Sequence, residues 1–276
     1  IYTEDKYLIV KSLQRTGHIV GMTGDGVNDA PALRQAEVGV AVSSATDVAK
    51  QASSAVLTTG GLVGIVDLVK SGRMIHQRIA TWIMNKIVRT FKRLVFVVLA
   101  FILTGQYVVS TLQMTLLLFL SDYVTLSLAT DKVSYSRRPE SWDVTGLVKV
   151  GLVIGILMVA ESMLLLYIGL LQFDIRSNIE QVRTFVFDFL VFSGYFTVIA
   201  LRERKHFWKS MPSRPLLLAI TVNSIAVSLI SIWGVRGLAS ITPFALLTVL
   251  VYSFVTCLLL NDFVKVFMVE SMGMGS

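Results

Sequence analysis

Residues 94–121, LVFVVLAFILTGQYVVSTLQMTLLLFLS, run for 28 positions without one charged side chain. A bilayer core about 30 Å thick takes roughly 20 helical residues. The run is therefore too long for one crossing and too short for two. Its centre, TGQYVVS at 104–110, has the character of a turn, so the stretch reads as a helical hairpin whose outer arms extend into charged residues, near 82–104 and 110–130. Further apolar stretches lie near 145–172, 182–201, 214–234 and 242–262, which makes six expected spans within 82–266. With 54% hydrophobic and only 16% charged residues, the chain is too apolar for a single soluble core of its 276 residues, since soluble domains carry about 25% charged residues.

The net charge of +7 does not point to nucleic acid, because the cations sit in short patches between apolar runs. They define an orientation instead. The loop 131–143 holds Lys132, Arg137 and Arg138, and the loop 202–214 holds Arg202, Arg204, Lys205, Lys209 and Arg214. The opposite loops hold Arg176, Arg183 and Arg236. An excess of Lys and Arg marks the cytoplasmic side, so residues 1–81 and the C-terminus are expected there, in a multi-pass protein of the cell membrane. Trp82, Trp142, Trp208 and Trp233 fall near the expected interfaces, as an aromatic belt would. The single cysteine, Cys257, lies in an apolar run and allows no disulfide within the chain.

Residues 1–60 read differently. Tyr7, Leu8, Val10 and Leu13 fit a short amphipathic helix. Short strands at 18–22, 37–42 and 55–59 alternate with helices, and a linking helix follows at 61–81. Alternation of this kind implies a parallel sheet. The expected fold is thus α/β followed by an all-α bundle of six membrane helices and a tail, 267–276. The opening at Ile1, with no signal-peptide pattern, reads as the C-terminal part of something longer.

After the first strand comes GDGVND. Asp25 follows the strand directly, at the sheet's C-terminal edge, where open α/β sheets bind ligands. Gly24 and Gly26 let backbone approach a ligand closely. Asp29, four residues on, is placed to share a cation with Asp25 or hold its waters, and Mg²⁺ typically takes one or two carboxylates together with phosphate oxygens. Asn28 is a neutral donor suited to a phosphoryl oxygen. The plain alternative is a turn leading into a capped helix; the length of the string argues for chemistry.

The full string MTGDGVNDAPAL resembles the hinge motif of the P-type ATPases, cation pumps with a haloacid-dehalogenase-like phosphorylation domain. The resemblance covers the whole chain: the tail of that Rossmann-like domain, then the last six of ten membrane helices. It implies that Asp25 holds the catalytic Mg²⁺, with Asn28 and Asp29 supporting the metal and the phosphoryl group. The family's P-x-x-K lysine corresponds to Lys6 in TEDK, where Thr3 stands in place of the proline. The string D-K-T-G-T, which carries the phosphorylated aspartate, does not occur, nor does T-G-E-S. Covalent phosphoryl transfer needs that nucleophile. ATP would therefore be used only through an N-terminal part outside this sequence, supplied in cis or as a separate chain. By itself the chain is expected to be inactive: a segment, a split subunit or a remnant of a pump.

In the membrane part, ionisable residues are functional candidates. With the outer turn at 105–110, Asp122 lies 12 residues beyond Ser110 and Arg93 lies 12 before Gly105. Each is then about 18 Å deep at 1.5 Å per residue, and the two are expected to neutralise one another. LSDYVTLSLATDKV resembles the sixth helix of P-type pumps, where an aspartate in this place governs the cation. DKVSYSRRPESW and Arg93 resemble the plasma-membrane proton-pump branch, and a fixed cation beside the site disfavours a Ca²⁺ or K⁺ cage of several oxygens; the alternative is a metal-cation pump for Ca²⁺, Mg²⁺ or K⁺. A tyrosine after the aspartate, where many pumps have glycine, departs from the pattern. Glu161, mid-span, reads as an ion-path group or an interhelical hydrogen bond, and Asp188 as a solvated or paired helix end near Arg183. A secondary transporter or channel needs no GDGVND loop, and a membrane phosphatase needs a nucleophile that is absent.

Overall fold

In the computed structural model, residues 2–60, 62–133, 144–173 and 178–272 are described. Arg137, Arg138, Trp142, Arg176 and the end of the tail lie outside them. The chain divides into two compact units, Ile1–Arg73 and Met74–Ser276.

The first unit is built on a small parallel sheet. α1 (Thr3–Arg15) leads to β1 (Gly21–Gly24), a 3-10 turn (Val27–Asp29), α2 (Ala30–Gln35), β2 (Val38–Ala41), α3 (Asp47–Ala52) and β3 (Ala55–Val56). Strand order is β1-β2-β3, with Gly21 opposite Val38 and Val40 opposite Ala55. Pro31 stands in the first turn of α2, where its missing N–H costs nothing. Two small apolar clusters bracket the sheet. One joins Val10, Val20, Ala32 and Ala36; the other joins Leu33, Ala41, Ala45 and Ala49. Gly39 is required at the centre of β2, because a Cβ there would collide with the Leu33 backbone carbonyl of α2.

The division between the units falls inside α4, which runs unbroken over Leu62–Thr104. It ends where Gly105 takes φ +68°, the left-handed conformation that stops helices. α5 (Thr111–Ser127) starts with a capping box: Gln113 N donates to Ser110 Oγ, and Ser110 N donates to Gln113 Oε1. α6 (Val144–Gln172), α7 (Ile179–Leu201) and α8 (Arg214–Trp233) follow. The last helical stretch consists of α9 (Pro243–Ser253), a π-helical segment (Phe254–Leu260) and α10 (Asn261–Ser271).

Five of these stretches among the described residues are long and apolar enough to cross a membrane: Thr111–Thr130, Val144–Gln172, Ile179–Leu201, Arg214–Trp233 and Pro243–Ser271. The first expected span, 82–104, forms the C-terminal part of α4, where Lys86, Arg89, Lys92 and Arg93 interrupt the apolar sequence. The second unit is thus a membrane-spanning helical bundle.

α7 is its axis, buried continuously from Thr184 to Tyr195. Phe185, Phe187, Phe189, Phe192 and Tyr195 are enclosed on all sides, as a helix that is apolar all round requires. Small residues let its neighbours close in. On α6, a Cβ at Gly155 would lie 2.8 Å from the Phe91 ring, and one at Gly169 would lie 2.9 Å from the Phe185 ring.

One reading of the sequence is overturned here. Asp188 is not at a solvated end; it is fully buried, accepting a 2.6 Å hydrogen bond from Ser231 Oγ on α8. It lies nine residues into α7, beyond the reach of Arg183, which instead binds Glu180 at 2.5 Å and the Tyr107 carbonyl.

At one end of the bundle, Arg202 Nε donates to Asp131 Oδ2 at 2.9 Å, and both side chains are 1% exposed. The other nitrogens of Arg202 donate to the carbonyls of Lys132, Ser210 and Met211, while Asp131 Oδ1 accepts from Ser213 N. Losing one partner strands the other charge, which typically costs about 3–5 kcal/mol. Asp131→Ala should therefore lower the melting temperature of the chain in detergent sharply. Arg202→Met added to it should recover part of the loss; an additive double mutant would contradict this account.

Candidate functional site

The Gly24–Asp29 loop is organised around one carboxylate. Asp29 Oδ2 accepts from the backbone N–H of Asp25 at 3.1 Å and of Gly26 at 3.2 Å. Its Oδ1 accepts from Lys6 Nζ at 2.5 Å. Gly24 makes this possible: a Cβ there would sit 2.6 Å from the Asp29 Cβ. Asp29 is 4% exposed. Asp25 is tethered through its backbone as well, its carbonyl accepting from Thr46 N at 2.9 Å. Thr46 in turn caps α3, its hydroxyl accepting from Ala49 N.

The consequence is a division of labour between the two aspartates. Asp29 directs both of its oxygens inward, Oδ2 to the loop amides and Oδ1 to Lys6. Asp25 and Asn28 are exposed at the C-terminal edge of β1, and no hydrogen bond to the Asp25 carboxylate is found among the described residues. Of the two aspartates expected to share a cation or its waters, Asp25 is thus the exposed one and Asp29 the buried one. No group of three or more His, Cys, Asp or Glu that would hold a metal occurs among the described residues. A single carboxylate nevertheless suits Mg²⁺, whose other positions go to water and phosphate oxygens.

Electrostatics agree with the geometry. The Asp29 hydrogen bond and charge, with a smaller contribution from Asp25, hold the Lys6 ammonium above its ordinary value. For Asp29, burial pushes the pKa up, but hydrogen bonds from Lys6, Gly26 and Asp25 outweigh it and the net shift is downward.

In the bundle, the candidates are placed differently from expectation. Arg93 donates to Ser121 Oγ at 3.2 Å, and Arg89 donates to Thr125 Oγ1 at 2.5 Å. Asp122 has no ion pair with Arg93 among the described residues; its contact is Lys86 Nζ, 3.8 Å away, with the two side chains 59% and 53% exposed. Neighbours on a helix point about 100° apart, so with Ser121 turned inward, Asp122 is turned out. Glu161 stands apart from this seam. It is 5% exposed, and its Oε2 accepts from Asn261 Nδ2 at 3.2 Å and from Cys257 Sγ at 3.3 Å. Sequence reasoning missed this cluster's partners, because Cys257 and Asn261 lie about a hundred residues from Glu161.

Residues 106–267 match the family model described as "Cation transporting ATPase, C-terminus". Over 85% of its length the chain is 36% identical to a protein of Methanocaldococcus jannaschii named as a cation-transporting ATPase. It is 30% identical over 92% of its length to plasma membrane ATPase 1 of Schizosaccharomyces pombe, and 29% identical over 85% to plasma membrane ATPase 1 of Saccharomyces cerevisiae. The chain spans only 26–29% of the length of these relatives.

The Lys6–Asp29 pair sets a pH window for the loop. Asp29 titrates below its ordinary 3.8, so its contribution is present above that pH and is lost as pH falls through the folded value. Lys6 titrates above 10.5, so its contribution is complete below that pH and is lost as pH rises through the folded value. In Lys6→Met the Asp29 carboxyl should titrate higher than in the unaltered chain, read by carbon-13 NMR; an unchanged titration would refute the pairing. Gly24→Ala should broaden or shift the Gly26 amide resonance, because Asp29 must move.

Proposed function

Because the chain belongs to the P-type cation-transporting ATPases, to whose C-terminal region it corresponds, we propose that it supplies the Mg²⁺-side half of a phosphorylation site and part of the ion path of an ATP-driven pump. The observation that carries this reading is the loop geometry: one exposed carboxylate, Asp25, at a strand's C-terminal edge, with a lysine and a second carboxylate locked beside it. On this reading residues 1–60 are the tail of a haloacid-dehalogenase-like domain, 61–81 a stalk, and 82–266 six spans. Residues 1–81 and the C-terminus face the cytoplasm of a cell whose plasma membrane holds the pump.

Phosphoryl transfer is mainly positioning and charge stabilisation. Mg²⁺, when bound, neutralises charge on the transferring group. Asp25 is the residue that would hold it. Lys6 presents an ammonium to the phosphoryl oxygens, and its link to Asp29 fixes where that charge sits. Asn28 donates to the phosphoryl group from the exposed side of the loop. The Gly24 and Gly26 backbone leaves the space for the ligand. Neither the acceptor aspartate nor a nucleotide site is part of this sequence, so hydrolysis requires the remaining part of the pump.

In the bundle, Asp122 is the proposed ion-binding group, on the exposed side of α5, where further helices of a complete pump would pack. Arg93, held by Ser121, contributes a fixed positive charge beside it. Such a charge favours a proton over a multivalent cation.

In a complete pump containing this segment, Asp25→Ala should abolish phosphoenzyme formation from ATP. Asp122→Asn should leave phosphorylation intact and impair transport at least tenfold, measured as ion flux into vesicles. The reverse pattern would sink both assignments. If K⁺ or Ca²⁺ in place of protons stimulates hydrolysis at saturating Mg²⁺, the ion assignment fails while the pump assignment stands.

A further inference from the structure

Glu161 is one of four adjoining polar groups in the bundle interior. It sits mid-way along α6, and the groups around it come from the three successive segments of the last helical stretch. Tyr252 Oη, on α9, donates to the Glu161 backbone carbonyl at 2.7 Å. Cys257, in the π-helical segment, and Asn261, at the start of α10, both donate to Oε2. The second carboxyl oxygen, Oε1, is buried without a partner, and so is Asn261 Oδ1. No ion pair to Glu161 within 4.0 Å is found among the described residues. A bare carboxylate in this position would leave two buried acceptors unmatched, each at a cost of about 1–3 kcal/mol or more.

One proton removes both deficits. A planar carboxyl and a planar carboxamide already joined by N–H···O can close a ring through a second bond, O–H···O, when the acid is protonated. We propose that Glu161 and Asn261 form such an acid–amide pair, with Glu161 Oε1–H donating to Asn261 Oδ1, and that this pair is a proton-binding site in the membrane interior separate from Asp122. The groups facing it are few. Lys92, on α4, is fully buried with its Nζ 2.6 Å from Ser193 Oγ of α7, and its charge acts on both Glu161 and Cys257. Tyr252 and Cys257 are the other titratable neighbours. On α10, Asp262 and Lys265 are committed to each other at 2.6 Å; on α7, Asp188 is committed to Ser231.

This inference deepens the ion-pathway reading of Glu161. Its test is independent of ATP hydrolysis, so it can fail or hold whatever becomes of the Asp122 assignment. Glu161 alone among the described glutamates is buried. The full chain, carrying carbon-13-labelled glutamate and held in lipid nanodiscs at neutral pH, should show an isotope-shifted carboxylic-acid C=O band in the infrared. The band should move in deuterium oxide, disappear in Glu161→Gln and shift to higher frequency in Asn261→Leu, which removes the acceptor. Asp188→Asn should leave it in place. The proposal is overturned if the labelled glutamates are all ionised at neutral pH, if the band survives Glu161→Gln, or if Asn261→Leu leaves it unmoved. Should Glu161→Gln fail to fold, the labelled unaltered chain and Asn261→Leu decide the matter by themselves.

Discussion

Hydrocarbon provides no hydrogen-bond partners, and the bundle is arranged around that lack. Two clusters of buried charge among the described residues of the second unit are answered by specific neighbours on other helices or loops. Arg202 meets Asp131 and three carbonyls. Lys265 meets Asp262 together with the Ala200 and Lys205 carbonyls, and Asp262 also accepts from the Phe207 backbone N–H and contacts His206 Nδ1. These clusters tie the segment between α7 and α8 to α5 on one side and to α10 on the other. The apolar packing around α7 is tolerant of similar shapes. The polar matches are not, and they fix which helix faces which.

The first unit obeys water rather than lipid, and its economy is different. A three-stranded sheet of very short strands buries little apolar surface. Its loop is held by concentrated hydrogen bonding to one carboxylate, with backbone amides and an ammonium converging on Asp29. On the proposed reading, such a loop holds Asp25 in place and leaves its carboxylate open to a ligand, and preorganised charge of this kind would need no rearrangement at the moment of phosphoryl transfer.

How much of this could be read from the sequence differs between the two units. The GDGVND string reveals its turn, its strand exit and its following helix, because glycine, proline and asparagine constrain backbone locally. It does not reveal that Asp29 is spent on internal bonds, since Lys6 lies 23 residues away. In the bundle, apolar length exposes the helices but not their rotation. Depth arithmetic placed Arg93 and Asp122 at the same level; the rotation of α5 gave Arg93 to Ser121 and Asp122 to Lys86. Distance from a helix end similarly suggested a solvated or paired position for Asp188, although α7 is continuously buried from Thr184, within its second turn, to Tyr195. The Asp131–Arg202 and Glu161–Asn261 partnerships span 71 and 100 residues, and no local pattern announces them.

The π-helical segment Phe254–Leu260 has a consequence for how this last span tolerates change. Tyr252, Cys257 and Asn261 all reach Glu161, yet they are spaced by five and then four residues. An α-helix repeats its face after three or four residues, whereas a π turn closes after five. The wide turn therefore acts as a phase-shifter, absorbing one surplus residue so that the face set by α9 is recovered in α10. The geometry of the turn, rather than its side-chain chemistry, is the vulnerable property there. Removing the surplus residue would return the helix to regular α geometry with α10 near its present phase, whereas drawing all seven residues of the segment into α geometry would turn α10 by roughly 100° away from the partners it now serves.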